Sequence, residues 1–580
     1  MSERIFIGVA WPYANGPLHL GHIAGAYLPA DIFARYHRLK GNEVLMVSGS
    51  DQHGAPITIR AEQESRSPRE IADKYHRQFI DCWQKLGISF DLFTTTGTEN
   101  HTQVTHDIFL TLLRKGYIYR DKMLQAYCPK CQRFLPDRYL EGTCPHCGFL
   151  KARGDQCDIC GRPLNPSDLK DLHCCLCTTT PRFEASEHFF LRLSAFQDKL
   201  RAWIKEQTHW RNNVLGTTWK FLDEGLKDRA ITRDLNWGVI VPQPGFERKR
   251  IYVWFEAVIG YLSASKEWAK SQSNESIWQP FWQGESKSFY FIGKDNIFFH
   301  TLVWPAMLMG YGPELDSGLN LPYDVPANEF LTIEGQKIST SRNWAIWLPD
   351  YLERYEPDPI RYALAASMPE TGDSDFSWGE FLRRNNNELV ATYGNLAHRV
   401  LTFAYRNFDG IVPSPGELDE QSQRLIHKAE AVLDTVDKML YRCNFKEALR
   451  EAMSLAQEGN RYLDEQAPWK KIKQEREASA LCHCEGRSPV AISIYTALSL
   501  LSALKTIFYP FLPFSSEKLH SFLGFDGSIK EVGWTFQLPL PGQKLREPQP
   551  LFVKLDDSIV TQENSRLGTL FNGHRFTSFP

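Results

Sequence analysis

Four Cys-x-x-Cys pairs crowd residues 128–177: Cys128/Cys131, Cys144/Cys147, Cys157/Cys160 and Cys174/Cys177. Most carry proline or glycine beside the thiols, as knuckle turns require, and ten of the chain's thirteen cysteines occur at or before Cys177. This spacing is not that of a disulfide frame; it indicates metal binding in a reducing compartment. Eight thiolates are the donor set of two tetrahedral four-cysteine zinc sites, with one zinc and some free thiols as the alternative; the knuckle spacing disfavours an iron–sulfur cluster. Four thiolates leave no open coordination position, so the sites are structural. His173 and Cys175 are spare donors.

Around the cluster, strand and helix patterns alternate. Residues 4–11 form an apolar run suited to a buried parallel strand. After a turn rich in proline and glycine (residues 12–17), Ile23, Ala26, Tyr27, Ala30, Phe33 and Ala34 share one helical face. Pro29 predicts a short first turn and a helix restarting with the proline in its first position. Gly41 ends that helix and Glu43–Ser48 reads as the second strand. Ligands of such a βαβ unit sit beyond the strand carboxyl ends, where His19, His22 and Asp51 fall. Residues 68–120 read as helices and loops. Further on, Arg250–Phe255 and Ser288–Ile292 read as strands, and residues 327–350 as a short strand, a turn and a polar loop. Helical periodicity runs from about 380 to 525, and a proline-rich irregular tail begins near 530. Ala478–Ile492 reads as an exposed insertion loop, and its Cys482-His483-Cys484 offers too few donors for a structural metal site.

At 580 residues the chain exceeds one hydrophobic core, and about three domains are expected. Hydrophobic residues make up 42% and charged residues 23%, as in ordinary soluble proteins. The net charge of −3 provides no global positive field, so RNA must be held by local patches and shape, with modest and strongly salt-dependent affinity. The amino-terminal residues read as a strand rather than a secretory signal, and no run approaches the roughly 18 apolar residues of a membrane span. A cytoplasmic protein without membrane partners is the expectation.

Two segments carry chemistry. His19-Leu20-Gly21-His22 opens a helix, where free N–H groups and the positive dipole end seat phosphate. Imidazoles three residues apart can face one ligand and donate to a pentacoordinate phosphorus, and Gly21 admits a nucleotide close to the backbone. Glu334–Asn343 is a polar loop holding Lys337 and the hydroxyls of Ser339, Thr340 and Ser341, suited to closing over a triphosphate. Taken singly, each is an ordinary surface feature.

Together they resemble class I aminoacyl-tRNA synthetases: His19–His22 looks like the HIGH motif and Lys337–Ser341 like the KMSKS loop. The runs 10–16 (AWPYANG), 49–54 (GSDQHG), 252–257 (YVWFEA) and 291–295 (FIGKD), in that order, resemble the methionyl-tRNA synthetases in particular. The resemblance spans residue 4 to about 525. It departs from the family at Thr340, where a second lysine is usual and Arg342 is the nearest replacement cation; Trp11, Val258 and Asn296 also differ from the commonest members.

The resemblance implies an α/β Rossmann-type catalytic domain with an inserted zinc-knuckle connective domain, followed by an α-helical bundle that binds the anticodon. The expected limits are 1–120 and 186–350 for the catalytic halves, 121–185 for the knuckles, 351–530 for the helices and 531–580 for a tail packed on them through Leu551, Phe552 and Val553. It implies ATP-dependent activation of L-methionine, with Mg2+ on the phosphates, and transfer to the 3′ end of tRNA(Met) for initiation and elongation. His19, His22 and Lys337 would be catalytic; Gly21, Gly293, Lys294, Asp295, Ser339, Thr340 and Ser341 would bind ATP. The methionine pocket would use Ala10, Trp11, Tyr13, Asp51, Trp254, Val258, Tyr261, Asn296, Phe299 and His300, with Asp51 on the α-ammonium. Asn395, Arg399 and Trp469 would read the anticodon. The zinc pairs would nest, Cys144, Cys147, Cys157 and Cys160 holding the inner ion and Cys128, Cys131, Cys174 and Cys177 the outer. Other class I enzymes with large editing domains fit poorly, because the knuckles occupy the connective region. A small HxGH nucleotidyltransferase or a non-enzymatic zinc-ribbon protein leaves Trp469, or Asp51, Trp254 and Lys337, without a role. A monomer is expected, because the tail is too short for the dimerising barrel many relatives carry.

Overall fold

A computed structural model describes residues 2–136, 139–154, 157, 164, 166–312, 318–473 and 488–569. Its centre is a five-stranded parallel sheet in the order Ala327–Asn328, Ser286–Gly293, Arg4–Val9, Glu43–Ser50, Leu92–Thr95. The first strand is apolar on both faces because both are covered. Ile5, Ile7 and Val9 enter one core cluster, while Phe6 enters the other beside Trp282. Strand order reverses about Arg4–Val9, which opens a crevice at its carboxyl end.

The segment after the first turn is a short α-turn, Leu20–His22, a π-helical turn, Ile23–Tyr27, and an α-helix, Leu28–Leu39. Pro29 is therefore second in the restarted helix rather than first. Arg250–Phe255 is mostly not a strand: only Arg250–Ile251 pairs, and Val253–Ser271 is a buried helix. A short apolar run suits either state, and only the length of the following pattern separates them. Leu92–Thr95, read as loop, is the four-residue edge strand of the sheet.

The connective insertion leaves on a long antiparallel arm, Ile118–Cys128 with Arg182–Leu191, and carries a small sheet of Ala152–Arg153, Leu140–Thr143 and Lys170–Cys174. The polar loop of residues 334–343 begins in a hairpin, Leu331–Ile333 with Gln336–Lys337, whose first strand also pairs with Ser374–Phe376.

The carboxyl-terminal half is a helical bundle. Trp378–Arg383, the π-helical Arg384–Gly394 and Asn395–Asn407 run on as one rod, packed with Glu420–Tyr441, Phe445–Gln466 and Pro489–Phe508. Pro489–Phe508 is long and apolar enough to cross a membrane, contrary to the sequence reading, yet from Val490 on it is buried in the bundle. The hydroxyls of Ser493, Thr496 and Ser499 bond to carbonyls one turn back, and the Tyr462 hydroxyl meets the first two, so the polar groups of this apolar helix are satisfied within the bundle. Pro489–Ile492, expected in the insertion loop, belongs to this helix, with Ser488 as its N-cap. Residues 478–487, including Cys482, His483 and Cys484, lie outside the described residues. In the tail, Leu551 and Phe552 pack inward, Phe552 near the Tyr393 ring, but Val553 is 70% exposed and contributes its carbonyl to Asn385 instead.

The two halves are joined by a buried ionic cluster. Asp31 accepts from Arg35 (2.8 Å) and Arg361 (2.7 Å), and Arg361 also donates to the carbonyls of Pro510 and Phe511.

Candidate active site

His19 and His22 stand at the crevice with their rings stacked, centroids 3.8 Å apart. The His19 backbone N–H donates to His22 Nδ1 (3.2 Å), so the neutral His22 ring carries its proton on Nε2. Enclosure pulls His22 down to about 4 and holds His19, further depressed by His22, well below its usual value. Both rings are uncharged N–H donors near neutrality. His19 Nδ1 has no hydrogen-bond partner among the described residues.

The hairpin places the second segment directly over this pair. A Cβ on Gly21 would lie 2.8 Å from Ile338 Cδ1 and 3.0 Å from the His19 ring, so a larger residue there would have to displace one or the other. Lys337 is exposed and in register with Thr332; Thr340 and Arg342 are also exposed, in the 3-10 turn Thr340–Arg342 that includes Ser341. Ser339 lies at the entry to that turn, its N–H bonded to the Trp344 carbonyl. Backbone bonds from Leu20 N to the Ile346 carbonyl and from Leu348 N to the Leu18 carbonyl stitch the two segments together. Gly293, at the end of its strand, lies close to the Asp295 carboxylate. Lys294 is not a free cation: its ammonium binds Glu329 (2.6 Å) and Asp373 (2.7 Å).

The residues expected to form the methionine pocket lie near the same strand ends. Trp254, Val258 and Tyr261 project from one helix at positions that share a face. Trp254 stacks on Phe299 at 4.6 Å, and Tyr13 meets Trp254 edge-on at 6.4 Å. Ala10 follows the first strand, and its carbonyl accepts the Tyr27 hydroxyl. Trp11 meets Tyr261 edge-on at 6.5 Å. Its indole lies between Gly49 and Gly260, either of which would collide with it if it carried a Cβ.

His300 is the second residue of another π-helical turn, Phe299–Val303. Its Nδ1 bonds to the Asn296 carbonyl (2.9 Å) and can only donate there. Burial pulls the ring down to about 4, so Nε2 is a bare acceptor and the Tyr261 hydroxyl donates to it (2.8 Å). The Tyr261 proton is thus committed within the pair.

Asp51 is 3% exposed, and burial with the nearby Glu256 carboxylate pushes its carboxyl well above the ordinary range. A donor from His53 N–H (3.3 Å) is its only described partial compensation besides Thr96. Behind it lies a network the sequence reading missed. Glu256, fully buried, meets His53 Nδ1 at 2.9 Å and His101 Nε2 at 3.5 Å, and His101 Nδ1 meets Ser263 Oγ at 2.9 Å. Burial raises the Glu256 carboxyl, but the two histidines outweigh it and leave it below its usual value. Glu256 and His53 stood within quoted motifs, whereas His101 lies on a helix with no local signal.

Cys128, Cys131, Cys174 and Cys177 converge, with Sγ separations of 3.4 Å (128–177), 3.4 Å (131–177) and 3.9 Å (131–174). Tetrahedral thiolates about 2.3 Å from zinc stand roughly 3.8 Å apart, so this donor set fits the ion. Cys144, Cys147 and Cys157 form a second group, with 3.6 Å between the latter two thiols. Cys160 lies outside the described residues.

Far from these groups, Asn395 is exposed on its helix one turn before Arg399. The Arg399 guanidinium binds Asp464 (2.8 Å) and covers the Trp469 ring at 4.6 Å, leaving the ring 37% exposed.

The family profile described as tRNA synthetases class I (M) matches residues 5–401, and that of the anticodon binding domain of methionyl tRNA ligase matches 412–573. The chain is a class I aminoacyl-tRNA synthetase. It is 60% identical over 568 residues to the methionine–tRNA ligase of Dehalococcoides mccartyi strain 195, covering 98% of this chain and 100% of that one. With the Thermomicrobium roseum methionine–tRNA ligase it shares 50% over 594 residues, covering 98% and 99%. A Mycobacterium tuberculosis methionyl-tRNA synthetase solved in complex with methionyl-adenylate superposes with TM-score 0.77 at 25% identity, over 95% of this chain and 100% of that one. Within its class, the chain belongs to the methionyl-tRNA synthetase family.

Proposed function

We propose that the chain joins L-methionine to ATP as methionyl-adenylate and passes the methionyl group to the 3′ end of tRNA(Met), using the residues gathered at the crevice. The observation that supports this reading is the close approach of Ile338, the residue after Lys337, to Gly21, which lies between the stacked His19 and His22 at a helix start suited to phosphate. The methionine carboxylate attacks the α-phosphorus in line and pyrophosphate departs; no protein nucleophile is needed. His22, through Nε2–H, and His19 donate to the equatorial oxygens. Lys337 steadies the leaving pyrophosphate, with Mg2+ accompanying the nucleotide. Gly21, Gly293, Asp295, Ser339, Thr340 and Ser341 line the ATP path. Lys294, already ion-paired, helps hold the site's shape.

Asp51 accepts the α-ammonium, which supplies the positive partner its buried carboxylate lacks. The side chain enters the slot of Ala10, Trp11, Tyr13, Trp254, Val258, Tyr261, Asn296, Phe299 and His300, where aromatic faces favour a polarisable sulfur. The second step is attack of the terminal 2′-hydroxyl of tRNA on the adenylate. Asn395, Arg399 and Trp469 read unstacked anticodon bases by edge hydrogen bonds and stacking.

Cys128, Cys131, Cys174 and Cys177 would hold one structural zinc, and Cys144, Cys147 and Cys157 with Cys160 a second; bound zinc would staple a domain whose own apolar clusters are small.

ATP–pyrophosphate exchange tests the catalytic assignment. His22→Ala and Lys337→Ala should each slow exchange at least about tenfold, the cost of a lost transition-state interaction, with methionine affinity little changed. Unchanged exchange in both variants would refute it.

A further inference from the structure

We propose that Asn343 is a positioning residue for the loop that carries Lys337, and that the chain's own Ser558–Thr569 segment fixes Asn343 in place. This rests on the reading of Lys337 given above. The loop is pinched shut by reciprocal backbone bonds between Ser339 and Trp344 (3.0 and 2.9 Å). Asn343 closes the 3-10 turn between them in the left-handed region, φ 52, a conformation asparagine tolerates and most side chains do not.

From that corner the Asn343 side chain faces two ways. Its Nδ2 donates to the Thr569 carbonyl (2.6 Å), and its Oδ1 accepts from Trp347 Nε1 (2.8 Å). The Asn343 carbonyl accepts the Gly568 N–H (3.1 Å), so the tail grips the residue through both side chain and backbone. Trp347 in turn pairs by backbone with His19 and stands edge-on to its ring at 6.1 Å. One amide therefore links the tail, the base of the signature loop and the residue beside the first catalytic histidine.

The tail can act as an anchor because it is held elsewhere. Glu563 is 4% exposed and accepts from Arg354 Nε (3.0 Å), Arg354 Nη2 (2.9 Å) and the Tyr355 hydroxyl (2.9 Å). The helix Ser558–Asn564 packs on Trp378–Arg383 rather than on the loop. Gly568, at φ 74, lies against the Trp344 ring, where a Cβ would sit 3.6 Å from Cε3. An exposed loop bearing a cation thus takes its rigidity from a segment more than two hundred residues away. The mechanism does not otherwise use these contacts.

The test is steady-state ATP–pyrophosphate exchange on the full chain. Asn343→Asp keeps the acceptor for Trp347 and the left-handed turn, but sets a carboxylate against the Thr569 carbonyl. Asn343→Gly keeps the turn and deletes both side-chain bonds. Each should lower kcat/KM for ATP about five- to tenfold, the scale of one or two lost hydrogen bonds, while KM for methionine stays within about twofold. Thermal melts identify a variant that does not fold, in which case the other carries the test. Because Asn343 acts through the loop, Lys337→Ala with Asn343→Asp should be no worse than Lys337→Ala alone. Wild-type kcat/KM for ATP in the folded variants, an equal rise in KM for methionine, or a fully multiplicative loss in the double variant would overturn the proposal. Full exchange activity in Lys337→Ala alone would instead overturn the reading of Lys337, an outcome the single variants keep separate.

Discussion

Gly260→Ala should damage methionine binding through Trp11. A Cβ at position 260 would lie 2.7 Å from Trp11 Cε2 and Cζ2 and 3.2 Å from Nε1. Ordinary carbon contacts are about 3.5–4.0 Å, so the indole must retreat by roughly an ångström. It cannot do so on its other side, where Gly49 already meets the ring edge without a Cβ to spare. The remaining direction is into the slot beside Tyr261, whose ring is 6.5 Å away and whose hydroxyl is held by His300. Overpacking of this kind costs about 1–3 kcal/mol, and each 1.4 kcal/mol is about tenfold. KM for methionine in ATP–pyrophosphate exchange should therefore rise about five- to 150-fold, with KM for ATP nearly unchanged because His19 and the hairpin lie on other elements. Trp11→Leu combined with Gly260→Ala should recover most of the loss, since the smaller side chain clears the new methyl group. Wild-type methionine kinetics in Gly260→Ala, or a double variant as weak as the single, would refute the argument that this slot sets the pocket.

The metal sites, the anticodon surface and the domain junction give three further tests. Elemental analysis of purified protein should find two zinc ions per chain, and Cys147→Ser should retain one and destabilise the knuckle domain; a single zinc in the parent would break the two-site pairing. Trp469→Ala should lower kcat/KM for tRNA about five- to 150-fold, the range of about 1–3 kcal/mol for one stacked base, and spare exchange; equal loss in both assays would mean a folding defect. Asp31→Asn should cost about 3–5 kcal/mol in urea unfolding at neutral pH, because Arg35 and Arg361 would remain buried without their anion. Burial raises the Asp31 carboxyl, but the two guanidiniums outweigh it and hold it well below the usual value. Its contribution is therefore full above the unfolded pKa of about 3.9 and lost as pH falls towards the folded value. The parent should weaken in that acid range and the variant should lack this share of the loss; parallel pH profiles would contradict the assignment.

What was legible in the sequence followed strong local chemistry. The strand, the turn holding Pro12, Gly16 and Pro17, and the histidine pair at residues 4–22 announced the crevice because period, punctuation and motif agree there. The thiol pairs announced their groups by spacing alone. Tyr252–Phe255 misled, since four apolar residues fit a strand as well as the buried helix that actually presents Trp254, Val258 and Tyr261. Pro489–Phe508 hid its apolar length behind serines and threonines that bond within the helix. Contacts between distant segments left no local trace at all. Nothing near residue 101 signals a histidine on Glu256, and nothing near 568 signals a grip on Asn343. Tyr261 and His300 were both identified as pocket residues, but only the Asn296 carbonyl fixes which of them holds the proton.

The central claim is that one crevice, built from His19, His22, Asp51 and the Lys337 hairpin, activates methionine. ATP–pyrophosphate exchange measured with each of the twenty amino acids in turn tests it most directly. Exchange dependent on methionine, with the other amino acids giving little above background, and lost on Asp51→Ala, is the predicted result. Exchange driven better by another amino acid, or methionine-dependent exchange that survives Asp51→Ala at full rate, would contradict the account.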